Sequence, residues 1–111
     1  MNSIMILAWT LCASLVVLVR CSEDFELCTR YVRTSKPRAM KESDMLRAYG
    51  LYKQGTSGDC DPNLSASSDK IENAKRQAWC SEKGKLRDAA QAEYVMLMDK
   101  LAPEWRSFRN N

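Results

Sequence analysis

The sequence predicts an all-α fold, a compact bundle of four short helices. Apolar residues recur at helical spacing in four separate segments, and no segment shows sustained two-residue alternation bounded by turn residues. The connections between the segments are brief, which favours a bundle over an extended arrangement. No internal repeat is evident, and 111 residues leave room for one domain with one small core.

Ile4 to Val19 carries no charged residue and is interrupted only by Thr10 and Ser14. A membrane-spanning helix needs about 20 apolar residues. The shorter run here, followed by Val19-Arg20-Cys21 and Ser22, has the shape of a signal-peptide core with a small-residue cleavage site. Residues 1–21 are therefore expected to be a signal peptide and residues 22–111 the folded domain. The alternative is an uncleaved anchor that keeps residues 4–19 in the membrane. The formal charge of +3 falls to +2 when Arg20 leaves with the segment, too mild a balance to imply nucleic acid.

The first helix is expected from Glu23 to about Arg33. Phe25, Cys28, Thr29 and Val32 repeat at helical spacing there, and Glu23 and Asp24 suit the positive end of the helix dipole. Pro37 and its charged neighbours form a linker. Ser43 is placed to cap the second helix, which carries Met45, Leu46, Ala48, Tyr49 and Tyr52, and Gly55 and Gly58 are expected to end it. Gly50 inside that helix costs about 1 kcal/mol relative to alanine. Close approach by another helix or by a ligand explains it, and so does a tolerated surface glycine.

Gly55 to Ser68, rich in Gly, Ser, Asp and Asn with Pro62, reads as a loop. Asp69 and Glu72 have the D-x-x-E shape of a capping arrangement for a third helix, whose face holds Ile71, Ala74, Lys75, Ala78 and Trp79. Gly84 is its natural stop. The last helix is expected from about Leu86 to Leu101 with a stripe of Leu86, Ala90, Tyr94, Leu97 and Leu101, and Pro103 follows it.

Cys28, Cys60 and Cys80 remain after cleavage, an odd number that allows one of three pairings with one thiol left over. A helical domain with an adequate core needs no disulfide, so three small buried hydrophobes is the favoured reading. An enzyme is disfavoured, and no catalytic or metal-ligating residue is assigned. The chain has no histidine, the commonest general base and metal ligand. Its cysteines lack C-x-x-C spacing, and Asp59 with Asp61 reads as turn chemistry.

Tyr49-Gly50-Leu51-Tyr52-Lys53-Gln54 is the segment that points to a ligand. Residues three and four apart are neighbours on a helix, so Tyr49, Tyr52 and Lys53 share a face that offers two phenols and an ammonium. Such a face suits a ligand with an aromatic ring and a phosphate. This hexapeptide, with Ala74-Lys75, Ala78-Trp79, Lys83-Gly84 and Tyr94 following in order, resembles the acyl-CoA-binding protein family from about Phe25 to about Trp105.

The resemblance implies a four-helix bundle that binds long-chain acyl-CoA without catalysis, with no other cofactor and as a monomer. It implies a carrier or buffer in lipid metabolism, intracellular or lumenal. It implies that Lys53 and Lys75 reach phosphates, that Tyr49 and Tyr52 bound the adenine and ribose, that Tyr94 donates a hydroxyl near the phosphate end, and that Phe25 helps cover the nucleotide. Trp79 is assigned to packing, as an indole on the apolar face of an amphipathic helix. Three charge-assisted hydrogen bonds contribute about 5–9 kcal/mol in gross terms, and burying some fourteen methylenes contributes about 11 kcal/mol.

The sequence departs from the family pattern at Arg76, where a tryptophan near the acyl chain is usual, so an apolar wall is expected to be missing there. Ser65-Ala66 replaces Pro-Gly, the linker around Pro37 is about a residue longer, and Glu82 replaces a leucine. The leader-like segment places the chain in the secretory pathway or outside the cell, or else anchored in the endoplasmic-reticulum membrane. It also motivates the alternative of a secreted module of the same fold that binds another lipid or a receptor.

Overall fold

The computed structural model describes residues 23–37 and 40–108. The expected signal segment and its cleavage site lie outside the described residues. Among the described residues four α-helices are present, α1 (residues 23–35), α2 (Glu42–Ser57), α3 (Lys70–Cys80) and α4 (Arg87–Leu101), followed by a short 3-10 helix, Pro103–Ser107. There is no strand among the described residues, and none of their helices is long and apolar enough to cross a membrane. α2 is the central element and packs against both α3 and α4. The core unites Phe25 and Cys28 of α1, Ala48 and Leu51 of α2, and Ala90, Tyr94, Val95 and Met98 of α4, with Trp105 closing it.

Local chemistry moves several element ends from their expected places. α1 runs two residues past Arg33, and the Thr34 hydroxyl returns to the Arg30 carbonyl. Ser43 does not cap α2, because the helix begins at Glu42 with Lys41 as its N-cap and no side-chain capping bond. Glu42 and Asp44 support that first turn through the dipole. Gly55 does not end α2 either. It lies inside the helix, where an added Cβ would meet the Gln91 Cγ at 3.0 Å, so its smallness lets α4 approach. Gly58 ends the helix at φ 79°, a conformation glycine adopts without the Cβ penalty.

Asp69 caps α3 as expected, with its side chain accepting from the Ile71 N–H at 2.9 Å. Glu72 does not complete the box. The Asp69 N–H goes to the Ser67 hydroxyl, and Glu72 instead faces Lys75. α3 stops at Cys80, four residues before Gly84, which sits at φ 88° in the following turn and donates its N–H to Asp59.

Leu86 is the N-cap of α4 and is 77 % exposed, so it is no part of a buried stripe. The buried face is carried instead by Ala90, Tyr94, Val95 and Met98. Pro103 ends α4 and opens the 3-10 helix that brings in Trp105, whose indole N–H donates to Asp99 at 3.0 Å. Arg106 grips the same carboxylate with two bonds of 2.8 Å, and Tyr31 reaches Glu104 at 2.7 Å, so the C-terminal segment clasps α1 and α4.

Cysteine corrects the expectation most. Cys60 and Cys80 form a disulfide with Cα atoms 5.2 Å apart, so the reading of three buried thiols fails for two of them. The bridge joins the loop after α2 to the last residue of α3, two points that cysteine spacing alone does not bring together. Cys28 keeps its thiol, fully buried, and burial with the nearby Asp99 charge pushes it up to about 12.

Gly50 resolves in favour of close approach. An added Cβ would stand 2.8 Å from the Ala78 carbonyl carbon and closer still to its oxygen, backbone atoms that cannot rotate away. Gly50→Val is therefore expected to force α2 and α3 apart and to destabilise the domain by about 1–3 kcal/mol. A denaturant titration compared with the unaltered chain checks it.

Glu82, where a leucine is usual in the family pattern, is buried at 7 % exposure but not isolated. Lys85 holds it at 2.6 Å and also holds Glu93 at 2.6 Å, while Arg47 approaches both carboxylates at 3.6 Å. A buried charge persists when it is paired in this way.

Three carboxylates are held below their ordinary range: Asp99 by Arg106 and then Trp105, Asp59 by the Gly84 N–H and then Gln54, and Glu104 by the Tyr31 hydroxyl. A carboxylate whose folded pKa is depressed contributes stability that is present above its unfolded pKa and is lost as pH falls through the folded value. The unfolding midpoint is accordingly expected to fall as pH drops below about 4. Asp99→Asn should shallow that acid limb in a series of melts at stepped pH.

Candidate functional site

α1 and α2 present the same spacing toward each other. Thr29, Val32 and Arg33 of α1, with Lys36 just past its end, fall at i, i+3, i+4 and i+7, and so do Met45, Ala48, Tyr49 and Tyr52 of α2. In a helix that pattern is one continuous face. Between the two faces lies a groove of about 670 Å³, lined by these eight residues together with Pro37, Met40 and Tyr94. Such a volume is within the range of small-molecule sites.

The groove is divided by chemistry. Val32, Pro37, Met40, Met45 and Ala48 make an apolar channel, and Met45 is left 57 % exposed although it is a large apolar side chain. Methionine is unbranched and adapts to irregular apolar partners. Tyr49, Tyr52 and Tyr94 form the aromatic wall, and Arg33 and Lys36 add positive charge where α1 ends. Lys36 adopts φ 45° while its N–H still bonds the Val32 carbonyl at 3.1 Å, which turns the chain toward Pro37.

Phe25 braces the wall from behind. Its ring stacks on Tyr52 at a centroid distance of 6.2 Å and meets Tyr94 edge-on at 5.4 Å, and Tyr52 and Tyr94 are 6.5 Å apart. Separations of this order are favourable for aromatic pairs. Phe25 is only 6 % exposed and does not line the groove, so its place is support beneath the tyrosines. Tyr94 is buried, and burial pushes its phenol above the ordinary tyrosine range, so the hydroxyl keeps its proton and remains a donor.

The two expected lysines stand beside the groove, not in its lining. Lys53 Nζ lies over the Trp79 ring, 4.7 Å from its centroid, and Lys75 Nζ lies over the Tyr49 ring at 5.2 Å. Lys75 also has Glu72 at 3.7 Å. Trp79 is half-buried and does more than pack, since its indole N–H donates to the Gly58 carbonyl at 2.7 Å. Tyr49 links the parts, forming the groove wall and carrying Lys75 on its ring.

Arg76 is not among the groove's lining residues. Its guanidinium donates to the Pro62 carbonyl at 3.5 Å. Gln54, the last residue of the hexapeptide, is almost fully buried and bonds Asp59 and the Lys85 carbonyl, each at 2.8 Å, so it anchors the end of α2. Arg33, Lys36 and Met40 were not expected at a site, and Val32 was expected only as part of the first helix's apolar spacing. The i, i+3, i+4 spacing of Thr29, Val32 and Arg33 was a usable signal for the α1 residues, whereas Lys36 lies past the helix end and Met40 in the linker, and neither had one.

No group of three or more histidine, cysteine or acidic residues among the described residues is disposed to hold a metal ion. The arrangement offers cations, aromatic faces and an apolar channel in one place, which is binding chemistry.

Residues 22–98 match the family model described as acyl CoA binding protein. The acyl-CoA-binding protein of Dictyostelium discoideum is 39% identical over 72 residues, which is 65% of this chain and 82% of that protein. The acyl-CoA-binding protein homolog of Drosophila melanogaster is 32% identical over 84 residues, 76% of this chain and 96% of that protein. Among solved structures, the acyl CoA binding protein of Babesia bovis superposes with a TM-score of 0.66 at 34% identity, over 76% of this chain and 96% of that one. Acyl-CoA-Binding Protein 2 of Oryza sativa gives a TM-score of 0.64 at 27% identity, over 81% and 99%. With its helices, its groove and these matches in agreement, the chain belongs to the acyl-CoA-binding protein family.

Proposed function

We propose that this protein binds long-chain fatty acyl-CoA esters without catalysis and serves as their carrier or buffer, as a monomer. The observation that carries the reading is the groove between α1 and α2, where an apolar channel runs into a wall of tyrosines flanked by Lys53, Lys75, Arg33 and Lys36. The acyl tail takes the channel of Val32, Met40 and Met45. The nucleotide lies against Tyr49 and Tyr52 over the Phe25 support, the two lysines meet the phosphates, and the Tyr94 hydroxyl donates near the phosphate end.

Calorimetry with palmitoyl-CoA, CoA and palmitate tests this division. Headgroup and tail each add several kcal/mol before association costs. Palmitoyl-CoA is expected to bind below about 1 µM and at least about a hundredfold tighter than either fragment. Micromolar or weaker binding of palmitoyl-CoA would sink the proposal, and equal binding of palmitate alone would point to a different lipid.

The proposed location is the secretory pathway, with residues 1–21 removed as a signal peptide. The uncharged run from Ile4 to Val19 supports it, and so does the Cys60–Cys80 bridge, since disulfides persist in oxidising compartments. Mass measurement of the protein from its own cell is expected to give Ser22 as the first residue and a mass two hydrogens below the thiol form. An intact Met1 terminus would replace this with a membrane-anchored protein.

A further inference from the structure

Lys53 and Lys75 are tied to each other's helices. α2 contributes Lys53 to the ring of Trp79 on α3, and α3 contributes Lys75 to the ring of Tyr49 on α2. Tyr49 and Lys53 are one turn apart, and so are Lys75 and Trp79, so the two pairs follow the same order along both helices. They flank the contact at which Gly50 presses on the Ala78 backbone. Helices that close leave little freedom in the spacing of whatever they carry.

Trp79 itself is fixed twice. Its indole N–H is bonded to Gly58, the residue that ends the helix bearing Lys53, and its neighbour Cys80 is bridged to Cys60, two residues beyond Gly58. An ammonium over an aromatic face is attracted by the ring quadrupole. With the ring on one side, the ammonium keeps its remaining N–H donors for an acceptor that approaches from the other.

We propose that Trp79 is a positioning residue, which with Tyr49 forms a crossed pair of cation–aromatic contacts holding the Lys53 and Lys75 ammoniums at a fixed separation before the phosphates arrive. This rests on the acyl-CoA reading above and adds how its cations are set. A free lysine loses rotamer freedom when it binds, at about two- to tenfold in affinity for each side chain. A lysine already held on a ring has given up much of that freedom in the unbound protein.

The test uses the full chain and the variants Trp79→Leu and Trp79→Phe. A methylene beside an indole face is shifted upfield by the ring current, so the Lys53 ε-methylene protons are expected upfield in NMR spectra of the unliganded protein and at ordinary positions in Trp79→Leu. In calorimetry, Trp79→Leu is expected to weaken CoA and palmitoyl-CoA in parallel by about tenfold. The gain of palmitoyl-CoA over CoA should stay unchanged, which general damage to the fold would not allow. Trp79→Phe, which keeps a ring face, should stay within about threefold of the unaltered protein. Unshifted Lys53 protons in the unaltered protein would overturn the proposal even if Trp79→Leu does not fold, and so would wild-type CoA affinity in Trp79→Leu. Upfield Lys53 protons in a protein that binds no CoA ester would refute the acyl-CoA reading, and the positioning role with it.

Discussion

Replacing Cys60 and Cys80 by serine is expected to lower the unfolding free energy by about 3 kcal/mol, the chain-entropy value for a loop of this length. The bridge closes a separation of 20 residues that includes residues 61–70, every one of them exposed. That stretch buries little of its own, so its order depends on its ends: the Gln54 and Gly84 bonds to Asp59, the Trp79 bond to Gly58, the Asp69 cap, and the disulfide. For a domain of this size the loss corresponds to a melting temperature lower by more than about 10 °C. Thermal melts of the unaltered chain with and without a dithiol reductant should show the same drop. Equal melting temperatures in both comparisons would mean that the bridge adds nothing to the fold.

The second large effect concerns the cations. Lys53→Ala with Lys75→Ala is expected to weaken palmitoyl-CoA by more than about a hundredfold, since each charge-assisted phosphate contact is worth about 1.5–3 kcal/mol. Little stability should be lost, because the Lys75 side chain is 40% exposed and its pairing with Glu72 is a surface ion pair of small value. Binding and melting measured on the same samples separate the two. Unchanged affinity would place the phosphates elsewhere, with Arg33 and Lys36 as the remaining cations of the groove.

Much of this architecture was legible because the signals were local. The Asp69 cap, the helical spacing of α1 and α3, and Tyr49 with Tyr52 on one face follow from spacing along a single helix, although Ile71, expected on the α3 face, is 66 % exposed. The misplaced ends came from tertiary competition. Gly55 looks like a stop, but in the packed domain it is the point where α4 comes close. Leu86 fits an apolar stripe by spacing, yet it precedes the first turn of α4 and faces solvent. The bridge between Cys60 and Cys80 depends on a fold that returns α3 alongside α2, which no count of cysteines contains. The residues proposed for the headgroup were readable as a motif, whereas the apolar channel joins α1, a linker methionine and α2, and so appears only once the helices are assembled. The second contact of Trp79 was hidden for the same reason, because its partners are Lys53 on α2 and Gly58 just past the end of α2.

The most direct measurement is an NMR titration of the isotope-labelled protein with palmitoyl-CoA, followed by intermolecular contacts to the bound ligand. Contacts from the acyl methylenes to the methyl groups of Met40 and Met45, and from the adenine protons to the rings of Tyr49 and Tyr52, are the predicted result. Bound palmitoyl-CoA with its tail in contact with residues outside this groove, or a spectrum unmoved by excess ligand, would contradict it.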